Sequence, residues 1–177
     1  MTSWVESRNL GGRRSPTLGG YKTAAVCPNG HVATDDIEIS PGLAGKFCKE
    51  CGGANLTACP SCESRIRGHY HVSGVMMLRD YTPPNFCEDC GKPFPWMEEK
   101  LRAVSALTDE LENVNDADRA KIKESLSGIT KDTPSTSLAV IQLKNLLGTA
   151  TDSVGKALWK AAIDIATEAA KKGLLGH

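Results

Sequence analysis

The stretch FCKECGG at residues 47–53 returns almost unchanged as FCEDCGK at residues 86–92. A cysteine-proline motif precedes each copy: VCPNGH at 26–31 comes before the first, and ACPSC at 58–62 before the second. Repetition in a fixed order is typical of repeated structural units. We therefore predict two copies of one small unit, each opened by Cys-Pro and closed by Phe-Cys-x-x-Cys-Gly.

Length and composition narrow the class of protein. The chain has 177 residues, a formal net charge of zero and 40% hydrophobic residues, which argues against a disordered chain and a strongly basic nucleic-acid binder. No apolar run approaches the roughly 18 residues that a membrane-spanning helix needs. The first twenty residues lack the apolar core of about 7 residues that a secretory signal carries. We expect a cytoplasmic protein.

The spacing of the cysteines predicts metal sites. In a reducing compartment, two cysteines with two residues between them (Cys-x-x-Cys) more often hold a metal than form disulfides. Three such pairs leave Cys27 alone, and the repeat places its missing partner near residue 31, where His31 can coordinate. Zinc prefers four tetrahedral ligands of this kind. We predict two structural Zn²⁺ ions, one held by Cys27, His31, Cys48 and Cys51, the other by Cys59, Cys62, Cys87 and Cys90.

The pairing of the motifs has an alternative. In a cross-brace, the first motif would join the third and the second the fourth, whereas the duplication favours sequential pairing, in which each copy closes its own site. Both predicted sites are complete, and a catalytic zinc keeps an open position for water. The chain also lacks a phosphate-binding glycine loop, a nucleophile elbow and a His-Glu-x-x-His pattern. We therefore do not expect an enzyme.

Composition divides the chain near residue 96. We predict a flexible arm over 1–20, a double zinc ribbon over 21–95 and a helical module over 96–177, so that a small zinc-stabilised β-rich region precedes about four helices. Short strands are expected in 21–26 and 70–78. The predicted helices run from Met97 to Val114, from a cap in 115–118 to about Lys131, from Thr133-Pro134 to Gly148, and from Asp152 or Ser153 to Gly173.

The last predicted helix has a wide apolar arc. Charged residues recur every four positions from Lys156 to Lys172, and the remaining surface is rich in alanine and larger apolar side chains. We favour a core helix of a small bundle. An oligomer contact and a membrane-surface face for residues 153–175 stay open, although the few lysines weaken the membrane alternative.

The insert in the second ribbon contains a dense polar and aromatic cluster, which could contact an anionic partner or form a rim of exposed strand residues. His69 and His71 would share one face of a strand, so a third metal site is conceivable. Residues 1–95 carry ten Lys or Arg and nine Asp or Glu, a net charge of +1. The two metal centres, with formal charges of −1 and −2, would change this net charge to −2, which does not favour binding of nucleic acid. The candidate interaction residues are Arg65, Arg67, His69, Tyr70 and His71.

Four motifs resemble a known family. YKTAAVCPNGH, FCKECG, CPSCESRIRGHYHV and YTPPNFCEDCGKPFPW together resemble uncharacterised bacterial proteins with an N-terminal double zinc ribbon, over about residues 21–97. The resemblance implies zinc binding through the same Cys and His positions and supplies no activity. The helical half is similar to helical tails attached to varied bacterial modules, some of them suspected of roles in defence systems.

These observations predict a zinc-binding, non-catalytic adaptor whose ribbons recognise a partner and whose helices mediate assembly. A protein partner or self-association is expected. The alternatives are a nucleic-acid-binding zinc-ribbon protein and a membrane-surface component of a bacterial defence system.

Overall fold

The computed structural model describes residues 19–72, 74, 80–112, 114–148 and 152–176. The predicted arm therefore lies almost entirely outside the described residues, as does most of 73–79. The described strands before the helices are β1 (Gly19–Thr23), β2 (Ala25–Val26), β3 (Val32–Thr34) and β4 (Arg67–Val72). They form two small antiparallel sheets, in which β1 pairs with β4 and β2 with β3. Tyr21 lies opposite Tyr70 in the first sheet.

The two copies of the sequence repeat have the same local structure. In the first copy Phe47 forms a β-bridge with Ala54, and in the second Phe86 forms one with Pro93. Each bridge encloses the Cys-x-x-Cys-Gly turn, so the aromatic residue before the first cysteine lies at the base of a very short hairpin. The repeated phrase thus encodes a turn that presents two thiols from one side.

Five helices follow in the described part of the chain, where about four were predicted. They are α1 (Pro95–Asp109), α2 (Asp116–Gly128), α3 (Thr136–Leu147), α4 (Ser153–Ile165) and α5 (Glu168–Leu175). Helix α1 packs against α2 and α4, α2 also packs against α3, and α3 against α5. The predicted N-caps are confirmed at Asn115 and Asp152, whose side chains accept hydrogen bonds from the backbone N–H groups of Asp118 and Gly155.

Helix α1 ends at Asp109, five residues before the predicted Val114. The guanidinium of Arg119, on α2, donates hydrogen bonds of 2.6–3.3 Å to the carbonyl oxygens of Thr108, Asp109, Leu111 and Val114. The carbonyl of Thr108 also accepts from the N–H of Leu111 at 3.3 Å, whereas that of Asp109 lies in the last turn of α1, where carbonyl groups lack partners within the helix. A residue from the next helix thus satisfies them, and Leu111 packs in the core without being helical.

The start of α3 was predicted wrongly at Thr133-Pro134. The helix begins at Thr136, because residues 131–135 form a separate turn. The Thr136 hydroxyl donates to the carbonyl of Lys131 at 2.7 Å and accepts from the N–H of Thr133 at 2.9 Å. The predicted end at Gly148 is confirmed.

The single last helix predicted to Gly173 is interrupted at Ala166 and Thr167. Ala166 is extended, the Thr167 side chain caps α5 by accepting from the N–H of Ala170, and the Thr167 N–H donates to the carbonyl of Ile129 at 2.9 Å. A tertiary hydrogen bond and a local cap therefore compensate for the break in the helix.

One hydrophobic core runs through both parts of the chain. It begins at Ala24, Val26 and Ile66 in the strand region, continues through Phe94, Trp96 and Met97, and reaches the helices. Its members from the last two helices are Leu158, Ala162, Ile165, Ala170 and Leu174. The apolar face of α4 and α5 is thus largely used inside the molecule. Within the described ranges, no helix combines the length and apolar character that crossing a membrane demands.

Candidate metal centres

The first centre is formed by Cys27, His31, Cys48 and Cys51, whose ligand atoms all lie within 4.8 Å of one another. The Nδ1 atom of His31 lies 3.5 Å from the Sγ of Cys27 and 3.6 Å from that of Cys48. The Sγ atoms of Cys27 and Cys51 are 3.7 Å apart. The histidine ring is largely exposed, but its Nδ1 atom faces the three sulfurs.

The second centre brings together Cys59, Cys62, Cys87 and Cys90 by the same criterion. The Sγ atoms of Cys59 and Cys90 are 3.8 Å apart, and those of Cys62 and Cys87 are 3.6 Å apart. Each centre draws its ligands from one copy of the repeat. The arrangement is sequential, and the cross-brace alternative does not occur.

The distances fit a tetrahedral metal ion. With Zn–S bonds of about 2.3 Å and Zn–N bonds of about 2.0–2.1 Å, a tetrahedron has sulfur–sulfur edges of about 3.8 Å and nitrogen–sulfur edges of about 3.6 Å. The separations of 3.5–3.8 Å agree with these edges. They are much longer than a disulfide bond of about 2.0 Å. Both donor sets therefore match zinc in number, chemistry and spacing.

Backbone turns hold the sulfurs in place. In the second half of each unit, the N–H of Gly52 donates to the carbonyl of Cys48 at 2.8 Å, and the N–H of Gly91 donates to that of Cys87 at 2.9 Å. Both glycines have positive φ, 72° and 70°, and glycine adopts this conformation without steric cost. In the first halves, Gly30 and Glu63 also have positive φ, and Glu63 is the non-glycine member that sequence reasoning missed.

Two polar side chains that sequence reasoning missed contact the ligand sulfurs. Asn29 donates from Nδ2 to the Sγ of Cys51 at 3.2 Å, and this bond is the main cause that lowers the pKa of Cys51 to about 6. The hydroxyl of Ser64 lies 3.0 Å from the Sγ of Cys62 and 3.2 Å from that of Cys87. It lowers the pKa of both thiols, that of Cys87 to about 6. Their only sequence signal is a position two residues after a ligand.

The second centre requires a cation if all its thiols are to ionise. A backbone hydrogen bond from Lys92 lowers the pKa of Cys90, but burial and the neighbouring thiols outweigh it and raise that pKa to about 12. Four sulfurs this close cannot all carry negative charge unless a positive ion lies between them. The electrostatics therefore agree with the geometry.

Of the candidate interaction residues, both arginines have acidic partners. The Nη1 atom of Arg65 lies 3.9 Å from the Oε1 atom of Glu38, and the Nη1 atom of Arg67 lies 2.7 Å from the Oε2 atom of Glu88. Burial alone would raise the pKa of Glu38, but hydrogen bonds from the N–H and hydroxyl of Thr23 lower it to about 2. Its carboxylate therefore stays ionised near neutral pH.

The aromatic candidates lie on β4. Tyr70 makes an edge-to-face contact with Tyr21 at 5.0 Å between ring centroids, and the rings of His69 and His71 are 6.3 Å apart. The two histidines are thus neighbours, as the strand period predicted. Within the residues that the structure describes, they do not join a third group of metal-ligand atoms.

Comparison with known proteins gives one match. A family model described as "Uncharacterized protein conserved in bacteria (DUF2321)" matches residues 20–174. No curated protein and no solved structure matches the chain. The matched region contains both candidate metal centres and helices α1 to α4, and it ends one residue before the end of α5.

Proposed function

The chain belongs to this bacterial DUF2321 family, and because the family description names no activity, we propose from the site itself that the protein is a zinc-binding, non-catalytic adaptor. In this proposal two structural zinc ions hold the strand region, which acts as a recognition module. The helices mediate assembly. The protein acts in the cytoplasm, where its thiols stay reduced.

The proposal depends above all on the two complete sets of four ligands. Thiolate and imidazole ligands in a tetrahedral arrangement are typical of zinc. Four protein ligands leave no position for a reacting water, and thiolate-rich centres are poor Lewis acids. The ions would therefore supply structure, by fixing two turns of each repeat to one another.

The small size of the strand region supports a structural role for the metal. Its sheets have two strands each, and an isolated two-stranded sheet is at best marginally stable in water. Structural zinc contributes on the order of 10 kcal/mol to the folding of small peptides. Metal binding on this scale would offset the small size of these sheets.

Exposed apolar side chains support protein contacts. In the loop between the ligands of the first centre, Leu43 and Phe47 are 65% and 67% exposed. On the helical part, Leu138 and Ile141 lie one turn apart on α3 and are also more than half exposed. Exposed aromatic residues such as Phe47 are enriched in protein interfaces, whereas contacts with nucleic acid depend mainly on Lys and Arg.

The two alternatives have weaker support. For nucleic acid, the basic patch would rely on Arg65 and Arg67, and both have carboxylate partners. The arginines at 13 and 14 lie outside the described residues. For a membrane surface, the segment 153–175 would need a free apolar face, but much of that face is buried in the core.

The test compares metal-loaded protein with variants of each centre. Tagged wild-type protein, Cys51→Ser and Cys90→Ser are used to capture proteins from the native host, and light scattering gives the mass of each purified sample. We expect a specific protein partner or a self-assembled species with the wild type, and its loss with the variants. A monomer that captures no protein, or recovery of DNA or RNA in a salt-dependent manner, would contradict the adaptor proposal.

A further inference from the structure

A groove of about 400 Å³ opens beside β1 and β4, against the extended segment 80–84. The sequence contains three tyrosines, and all three, Tyr21, Tyr70 and Tyr81, line this groove. Tyr21 and Tyr70 are 55% and 44% exposed, so their rings are accessible from solvent. The groove has the size of a site for a small molecule or one large side chain.

The charges around the groove favour a cation over an anion. The lining residues Asp35 and Asp80 are acidic, and the lining arginine, Arg67, already binds Glu88 at 2.7 Å. Nearby, Arg65 pairs with Glu38. On this face, among the residues that the structure describes, the carboxylates are therefore in excess.

Two carboxylates flank His69, which lines the groove: that of Asp35, also a lining residue, and that of Asp36 behind it. The ring of His69 lies between them, with Nδ1 3.3 Å from the Oδ2 of Asp35 and Nε2 3.8 Å from the Oδ2 of Asp36. Asp36 is 4% exposed, and its Oδ2 has no hydrogen-bond partner among the described residues. A buried carboxylate oxygen of this kind adds to the negative potential.

The groove already accommodates one guanidinium of the chain itself. The Cζ atom of Arg67 lies 4.6 Å from the centroid of the Tyr21 ring, a distance typical of a cation–π contact. Burial, and after it the charge of Asp35, raises the pKa of Tyr81 to about 12. Tyr81 therefore stays a neutral phenol, and its hydroxyl donates to the carbonyl of Arg67 at 2.6 Å.

We propose that this groove binds an organic cation, the guanidinium or alkylammonium group of an arginine or lysine in a partner protein, against the tyrosine rings and the carboxylate of Asp35. The inference rests on the adaptor function proposed above and names the chemistry of its partner. Tyrosine faces attract such cations through their π-systems, and nearby carboxylates supply charge complementarity.

The groove is also connected to the second metal centre. Glu88, which holds Arg67, lies between the ligands Cys87 and Cys90. The turn that the metal would fix therefore positions Arg67, and Arg67 in turn packs on Tyr21. Binding of the cation should consequently need metal in the second centre.

The test uses the full-length, zinc-loaded protein and a fluorescein-labelled peptide of alternating arginine, glycine and serine. Fluorescence anisotropy compares this peptide with one in which citrulline, the neutral isostere, replaces arginine, with a glutamate version and with a single-stranded oligonucleotide. Competition with free arginine amide distinguishes a small cation from a peptide. We expect the arginine peptide to bind and the other three probes to bind at least about tenfold more weakly.

Two variants locate the binding. Tyr21→Ala and Asp35→Asn should each weaken binding of the arginine peptide about five- to tenfold, whereas Leu175→Ala, at an exposed apolar residue of α5 outside the groove, should leave it unchanged. The inference would be overturned if the arginine peptide did not bind, if the citrulline peptide bound equally well, or if an acidic probe bound more tightly. It would also be overturned if neither variant weakened binding. Zinc content and circular dichroism are measured on every sample.

The same variants separate this inference from the proposed function. If the wild type and the Tyr21→Ala, Asp35→Asn double variant capture the same protein partner equally well, the adaptor function stands and the groove is not its recognition site. If the zinc-loaded wild type captures no partner and does not self-assemble, the adaptor function fails, whatever the peptide does.

Discussion

Gly30 lies directly against Trp96: a Cβ atom added to Gly30 would stand 3.2 Å from the Cβ of Trp96. Gly30 precedes the ligand His31, and Trp96 is in the first turn of α1, 1% exposed. The indole stacks on Phe94 at 4.6 Å, and its Nε1 donates to the carbonyl of Pro84 at 3.0 Å. The first metal centre and the helices are thus joined through one close contact.

We predict that Gly30→Ala destabilises the protein. Gly30 has a φ of 87°, which a residue with a Cβ adopts only at a cost, and the added methyl would press on Trp96. Together we expect a loss of about 1–3 kcal/mol, measured as a lower thermal midpoint of the zinc-loaded protein. Gly42→Ala is the control, since nothing lies within 4 Å of its added Cβ. Equal midpoints for the two variants would show that the contact is unimportant.

Asn29 and Ser64 give a pair of matched predictions on metal affinity. Each hydrogen-bonds sulfur in a different centre, and loss of such outer contacts typically costs about 10–100-fold in affinity. Asn29→Ala should therefore weaken zinc binding at the first centre, and Ser64→Ala at the second. Competition with a chromophoric chelator measures both constants.

Each of these two variants serves as the control of the other. A variant that weakens both centres equally would indicate a general loss of structure. A variant that changes neither affinity would show that its contact with the sulfur does not support the metal.

Arg119 should be essential for the junction of α1 and α2. Replacement by alanine removes the guanidinium donor from four carbonyl oxygens, of which only that of Thr108 keeps a backbone hydrogen bond among the described residues, from the N–H of Leu111, so we expect a loss of about 1–3 kcal/mol in the free energy of unfolding. Arg119→Lys should restore only part of it, because an ammonium group cannot reach four carbonyls in the same geometry. Urea denaturation measures the change.

Arg102→Ala is the control for this prediction. Arg102 is a largely exposed arginine on α1 that pairs with Glu99 at 2.7 Å, and exposed pairs of this kind contribute about 0–1 kcal/mol. If Arg102→Ala were as destabilising as Arg119→Ala, the effect would come from lost charge rather than from the capped carbonyls.

The grouping of the eight candidate ligands could be predicted from the sequence because the same motifs occur in the same order in both copies of the repeat. The Cys-x-x-Cys spacing predicted three pairs of ligands, and His31 was predicted as the partner of Cys27. The boundaries of the helices were less predictable where tertiary contacts decide them. The end of α1 depends on Arg119 from another helix, and the break before Thr167 depends on the carbonyl of Ile129.

The ion pairs of the candidate interaction residues Arg65 and Arg67 could not be predicted from the sequence. By residue number, Arg67 is separated from Glu88 by 21 positions (88 − 67) and Arg65 from Glu38 by 27 (65 − 38). In the sequence, both arginines belong to a polar and aromatic cluster that could contact an anionic partner. Folding brings a carboxylate to each of them and places the three tyrosines around one groove.

X-ray absorption at the zinc edge, on protein whose metal content has been measured, tests the central claim most directly. Seven sulfurs and one nitrogen shared by two ions predict two zinc atoms per chain with about 3.5 sulfur and 0.5 nitrogen neighbours each, at the distances of tetrahedral sites. Fewer than two zinc atoms in fully loaded protein, or a spectrum dominated by oxygen or nitrogen neighbours, would contradict the account.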